Sequence, residues 1–182
     1  GAWDGDEDSL LAYPGARNVV GDACRSWARS ELKRKQTAGV APNLCLLLDA
    51  DALEPLAAWV TAHIGQRALQ ERERVLLMDW CTDGGLARLP GPTRECIAEH
   101  FLRKGDAGWV LKCLYEQPTP ASQRTAGEQV LVVRALEQVG RASEALTHIS
   151  TIERDVPSNT WRDSLHGLRW RAMTDLGRAR EA

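Results

Sequence analysis

Val139-Gly140-Arg141-Ala142-Ser143-Glu144-Ala145-Leu146 is the stretch whose reading decides the fold. Its glycine gives the backbone freedom to reverse, and its two alanines leave room for the following helix to lie close against the one before. A shift of 35 residues toward the N-terminus lays the same pattern over an earlier hairpin. Ile97, Ala98 and Phe101 fall on Val132, Val133 and Leu136; Gly105 falls on Gly140; Ala107, Val110, Leu111 and Leu114 fall on Ala142, Ala145, Leu146 and Ile149. A shift of 37 toward the C-terminus sets Gly177, Ala179 and Ala182 on Gly140, Ala142 and Ala145, with Trp170 and Met173 at apolar positions of the preceding helix. Self-similarity at such a period predicts stacked helical hairpins, because neither helix of a pair can bury its apolar stripe alone.

Together with Leu176-Gly177-Arg178-Ala179-Arg180-Glu181-Ala182, the turn resembles the central turn of tetratricopeptide repeats. In the middle unit Ala145, Ile149, Ile152 and Pro157 match the spacing of that family's small, aromatic, small and proline positions. The sequence departs from the family where Gln129 stands for its early Trp, Val133 for its small residue and Leu136 for its Tyr. The resemblance covers residues 93–182 and implies a short right-handed α-solenoid. The third unit breaks off at Ala182, inside its second helix, so further chain or a partner is expected to cover that end. The period of 35 is also that of the related pentatricopeptide repeats, although their proline falls later than Pro157 does.

Outside the repeats the chain reads as irregular helices. Residues 1–15, with Asp4, Asp6, Glu7 and Asp8, form an acidic, flexible lead-in. Val20, Ala23, Cys24 and Trp27 recur at helical spacing from Ala16 to about Gln36, after which Gly39 and Pro42 stop the helix. Asp51-Ala52-Leu53-Glu54 has the form of a capping box for a helix reaching about His63. Glu71 to Trp80 is a further helix stopped at Gly84-Gly85, and residues 86–92 read as a loop. The expected parts are therefore a lead-in over 1–15, a helical N-terminal part over 16–90 and a repeat part over 91–182. No segment alternates as a strand would, so the fold class is all-α.

Composition sets the class of protein. Apolar residues make up 43% and charged residues 26% of 182, which suits a folded chain. No apolar run approaches the ~20 residues of a membrane-spanning helix. Five cysteines, Cys24, Cys45, Cys81, Cys96 and Cys113, are odd in number and widely spaced, as in reduced thiols of an intracellular compartment. The start at Gly1-Ala2-Trp3 carries no signal-peptide pattern. A net charge of −2 argues against a general phosphate-backbone binder.

Candidate chemistry is sparse. Cys96 and His100 are one helical turn apart and could face a metal with Cys81 or Cys113, but no second close ligand pair accompanies them, and core filling explains the thiols more simply. Asp4, Asp6 and Asp8 open like a calcium loop, which then fails at Ser9 and Gly15. No Cys-His arrangement for nucleophilic catalysis with an acidic orienter, Gly-x-Ser-x-Gly elbow or phosphate-binding loop is present, so no catalytic residue, cofactor or metal is assigned.

Seven tryptophans stand beside one phenylalanine. Most are expected in the core, with one or two exposed. Trp161 shares the end of the chain with Arg162, Arg169, Arg171 and Arg178, a mixture that binding hot spots favour. These five are the candidate partner-binding residues. The expected function is a non-catalytic protein-protein interaction scaffold that holds a peptide, helix or partner subunit. The alternative is a pentatricopeptide-like RNA-binding segment of a larger ribonucleoprotein.

Overall fold

A computed structural model describes residues 16–64, 69–116, 124–155 and 162–177. Among them all regular structure is helical and no strand occurs. The acidic lead-in over 1–15 lies outside the described residues. The chain divides into two compact units, Gly1–Trp59 and Val60–Ala182.

In the first unit α1 (Ala16–Thr37) packs on α2 (Leu44–Asp49). Helix α1 ends as its sequence predicts: Gly39 takes φ 66°, and the Val40 N–H reaches back to the Lys35 carbonyl at 2.9 Å. This turn satisfies carbonyls that have no partner further along the helix. Ala28 and Leu32 of α1 are buried, as are Leu44, Leu46 and Leu47 of α2.

Helix α2 has no counterpart in the sequence reading, because six residues rich in leucine carry too short a period to read. Asn43 fixes its start by accepting the Leu46 N–H at 2.9 Å. Its end explains a shift in the next helix. Asp51 takes the left-handed conformation (φ 53°), and the Ala52 N–H donates to the Leu47 carbonyl at 3.1 Å. Asp51 therefore closes α2, and α3 (Leu53–Ile64) starts later than a capping box over 51–54 would place it.

Within the second unit lies α4 (Glu71–Trp80), at whose start the Gln70 N–H donates to Glu73 at 3.0 Å. A wide turn over Cys81–Gly85 follows, with Gly84 at φ 90°. The neighbouring Gly85 lies under the Trp80 ring, where an added methyl would come within 2.4 Å of the ring carbons. The expected stop at Gly84-Gly85 is thus where the chain turns. The expected loop over 86–92 is shorter than predicted: Leu86–Arg88 is a 3-10 turn, and α5 (Gly91–Arg103) already begins at Gly91 with Pro92 in its first turn.

From α5 onward the hairpins stack. Helices α6 (Ala107–Leu114), α7 (Ala126–Gln138), α8 (Ala142–Asp155) and α9 (Arg162–Asp175) each pack on the helix before, and α7 also touches α5 and α9. The superimposed positions form the core. Ile97, Ala98, Phe101, Val132, Val133 and Leu136 are fully buried, and Ala107, Val110, Leu114, Ala142, Ala145 and Ile149 are buried on the second helices. Each larger aliphatic or aromatic side chain among them contributes about 1.5–3 kcal/mol.

The turns repeat as closely as the stripes. Gly105, Gly140 and Gly177 have φ of 89°, 77° and 70°. The residue after each of the first two glycines closes the same bond: Asp106 N–H to Phe101 carbonyl at 3.0 Å and Arg141 N–H to Leu136 carbonyl at 2.8 Å.

Candidate functional site

Helix α9 carries Arg162, Arg169 and Arg171 of the five predicted partner-binding residues. It buries Leu165, Leu168 and Ala172 on one side, three or four residues apart. The opposite side presents His166, Trp170 and Thr174 to solvent, again spaced by one helical turn.

Of the five predicted residues, two have described side chains. Arg169 is tied to Glu153 of α8 at 2.6 Å. Arg171 is 65% exposed, with its Nε 3.7 Å from a carboxylate oxygen of Glu137 on α7. The backbone of Arg162 starts α9, but its side chain lies outside the described residues, as do Trp161 and Arg178. The structure thus brings Arg169 and Arg171 onto one helix and gives them different tasks, one bracing α9 on α8 and the other standing at the surface.

Trp170 lies on the last helix of the array, where the repeat reading expects an apolar face in need of cover. Its superposition on Val133 assigns it to a packing stripe, and it is 54% exposed. The same stripe on α7 is buried, and α7 has α5, α6, α8 and α9 packed against it. Periodicity identifies the stripe on α9 but carries no information about what lies over it. Trp27, 65% exposed in the first unit, is the other open tryptophan among the described residues. It borders a groove of about 220 Å³ with Glu31, Lys35, Cys45, Leu46 and Asp49. Glu31 in that groove is already paired with Arg34 at 2.6 Å, so the groove has no strong net charge to select a ligand.

A charged row crosses the first helices of the hairpins. Glu99, Arg134 and Arg171 occupy equivalent positions under the shifts of 35 and 37 residues. Arg134 approaches Glu99 at 3.8 Å, and Arg103 pairs with Glu99 at 2.7 Å. Burial raises the pKa of Glu137, which Arg171 and Arg134 oppose. Each arginine of the row has a carboxylate close by, Glu99 beside Arg134 and Glu137 beside Arg171, so the row sets no strong field. The shifts that reveal the repeat could have revealed it, had polar positions been superimposed with the apolar ones.

The interior polar groups serve the fold. Glu128, only 1% exposed, accepts the Thr125 N–H at 2.7 Å and pairs with Arg94, while the Glu128 N–H donates to Thr125 Oγ1 at 3.1 Å. Cys81 and Cys113 are buried, and burial lifts both thiols above the ordinary range, Cys81 strongly. Raised pKa values leave them protonated and poorly nucleophilic at neutral pH. Cys96 and His100 are half-buried on α5, and no group of three or more His, Cys, Asp or Glu side chains poised for a metal occurs among the described residues. No described helix is long and apolar enough to cross a membrane.

No protein-family model matches this chain, and no curated protein or solved structure matches it.

Proposed function

We propose that this chain is a non-catalytic protein-interaction module, a short right-handed α-solenoid of tetratricopeptide-like hairpins that offers the outer side of α9 to a partner protein. The observation that carries this reading is Trp170, 54% exposed at a stripe position whose α7 equivalent is fully buried, with Arg171 beside it. An indole left in water gives up the free energy that its burial would supply, and it regains it when a partner covers it. Trp and Arg are also the residues most enriched among binding hot spots. Glu99 beside Arg134 and Glu137 beside Arg171 leave no net basic track of the kind a nucleic acid would need, which favours a polypeptide.

The test places a photo-crosslinking side chain at Thr174, which is exposed one turn from Trp170. Crosslinking to a protein partner, lost in Trp170→Ala without loss of thermal stability, is the expected result. Salt-sensitive retention of single-stranded RNA, with no protein crosslink, would replace this reading with the RNA-binding one.

A further inference from the structure

The first unit carries an open stripe of its own. Ala23, Cys24 and Trp27 recur at helical spacing on α1 and are all exposed, whereas Ala28 and Leu32 further along the same helix are buried. The stripe ends in the groove that Trp27 borders with Cys45 and Leu46. Helix α1 is also strongly basic. It holds Arg17, Arg25, Arg29, Lys33, Arg34 and Lys35 against Asp22 and Glu31, a net side-chain charge of +4. Both carboxylates are engaged locally, Asp22 with Arg25 at 2.5 Å and Glu31 with Arg34 at 2.6 Å. The adjoining residues 1–15, which lie outside the described residues, are the complement of this helix in charge: Asp4, Asp6, Glu7 and Asp8 with no basic residue, a net side-chain charge of −4.

We propose that residues 1–15 fold back along α1, seating Leu10 on the Ala23–Trp27 stripe and Asp4, Asp6 and Asp8 beside the basic end of the helix. Pro14-Gly15, immediately before Ala16, is a turn dipeptide, and it stands where the chain has to reverse. Beyond that turn an extended chain covers about 3.3 Å per residue, which carries Leu10 to about 13 Å and Asp8 to Asp4 to about 20–33 Å. Helix α1 rises about 1.5 Å per residue, which sets Ala23 to Trp27 about 10–17 Å from Ala16 and Arg29 to Lys35 about 20–29 Å from it. Side chains of an extended segment alternate, so Asp4, Asp6, Asp8 and Leu10 project to one side. That side carries an apolar residue and then three acids, in the order in which α1 carries its apolar stripe and then its cations. Exposed ion pairs are individually weak, but a segment tethered to its own site docks at high effective concentration. This self-docking is independent of what α9 binds.

The test uses the full chain with a benzophenone side chain in place of Leu10. Irradiation and peptide mapping are expected to join position 10 to residues 23–49 of the same molecule. Asp4→Lys, Asp6→Lys, Glu7→Lys and Asp8→Lys together are expected to weaken that crosslink by about fivefold or more, and salt at about 1 M to weaken it likewise. Far-UV circular dichroism checks that α1 is intact in the lysine variant, and the salt measurement needs no substitution.

A crosslink confined to the residues next to the turn, or no crosslink, overturns the proposal. Crosslinks from position 10 to the second unit or to a second copy of the chain overturn it in favour of those occupants. A crosslink to α1 that neither the lysine variant nor salt weakens overturns it as well, since the pairing of charges is what selects this segment.

Discussion

Arg94 and Glu128, 34 residues apart in sequence, close a two-point ion pair between α5 and α7, with the second guanidinium nitrogen 3.1 Å from Glu128 Oε2. The same Glu128 carboxylate caps the start of α7 through the Thr125 N–H, so one side chain both begins a helix and fixes it to the preceding hairpin. Arg94 also donates to the Leu89 carbonyl at 2.8 Å, which ties the 3-10 turn before α5 into the same network.

Glu128→Ala should destabilise the protein by about 3–5 kcal/mol, since it strands a guanidinium that is only 12% exposed and removes the cap together. Replacing both partners at once, as Arg94→Met with Glu128→Leu, should cost much less, because neither charge is then left buried alone. Urea unfolding of the single and double variants gives both values. A double variant as unstable as Glu128→Ala would contradict this account.

The left-handed turns predict opposite signs for one substitution at different glycines. Gly105→Ala and Gly140→Ala should each cost about 1–2 kcal/mol, because φ of 89° and 77° forces Cβ against the carbonyl. Gly108→Ala, inside α6 with open space around the new methyl, should gain about 0.5–1 kcal/mol by raising helix propensity. Thermal melts of the three variants test whether the turns are set by backbone strain.

Acid sensitivity should pass through His148. Burial, reinforced by Arg124, holds its pKa below the ordinary 6.5. Its Nε2 has no hydrogen-bond partner, and its ring stands edge-on to Tyr115 at 5.7 Å. With the folded pKa below the unfolded one, the unfolded chain binds more protons in between. Stability is then full above about pH 6.5 and falls as pH drops from there through the folded pKa. His148→Gln should flatten that part of the stability profile relative to the parent chain, which carries a similar but separate contribution from His100. Equal slopes for parent and variant between pH 7 and 5 would rule out His148 as the source.

Packing at the middle hairpin gives a further contrast. Ala145 is fully buried, and Ser143 is on the exposed side of the same helix. Ala145→Trp should destabilise by about 3 kcal/mol or more through overpacking, and Ser143→Trp should stay within about 0.5 kcal/mol. Chemical denaturation distinguishes them, and similar losses would mean that the sides of α8 are reversed.

Much of the second unit is legible from local pattern. Gly105, Gly140 and Gly177 mark the turns because a left-handed residue at a helix end is a local demand that glycine meets best. The apolar stripes of α5, α7 and α8 are visible because packing one hairpin on the next requires the same spacing each time. Helix α2 was not legible, since Asn43 at its start and Asp51 at its end define it more than any period does. The Arg94–Glu128 pair was not legible either, because a capping box is local but its buried partner comes from another helix.

The sequence by itself determined that the chain is helical and where its hairpins turn, because both follow from spacing and backbone freedom within a few residues. Only the tertiary structure decided which apolar positions are covered. Trp170 and Val133 occupy the same place in their repeats, and one is open while the other is buried, because burial depends on the neighbouring helix and not on the residue alone.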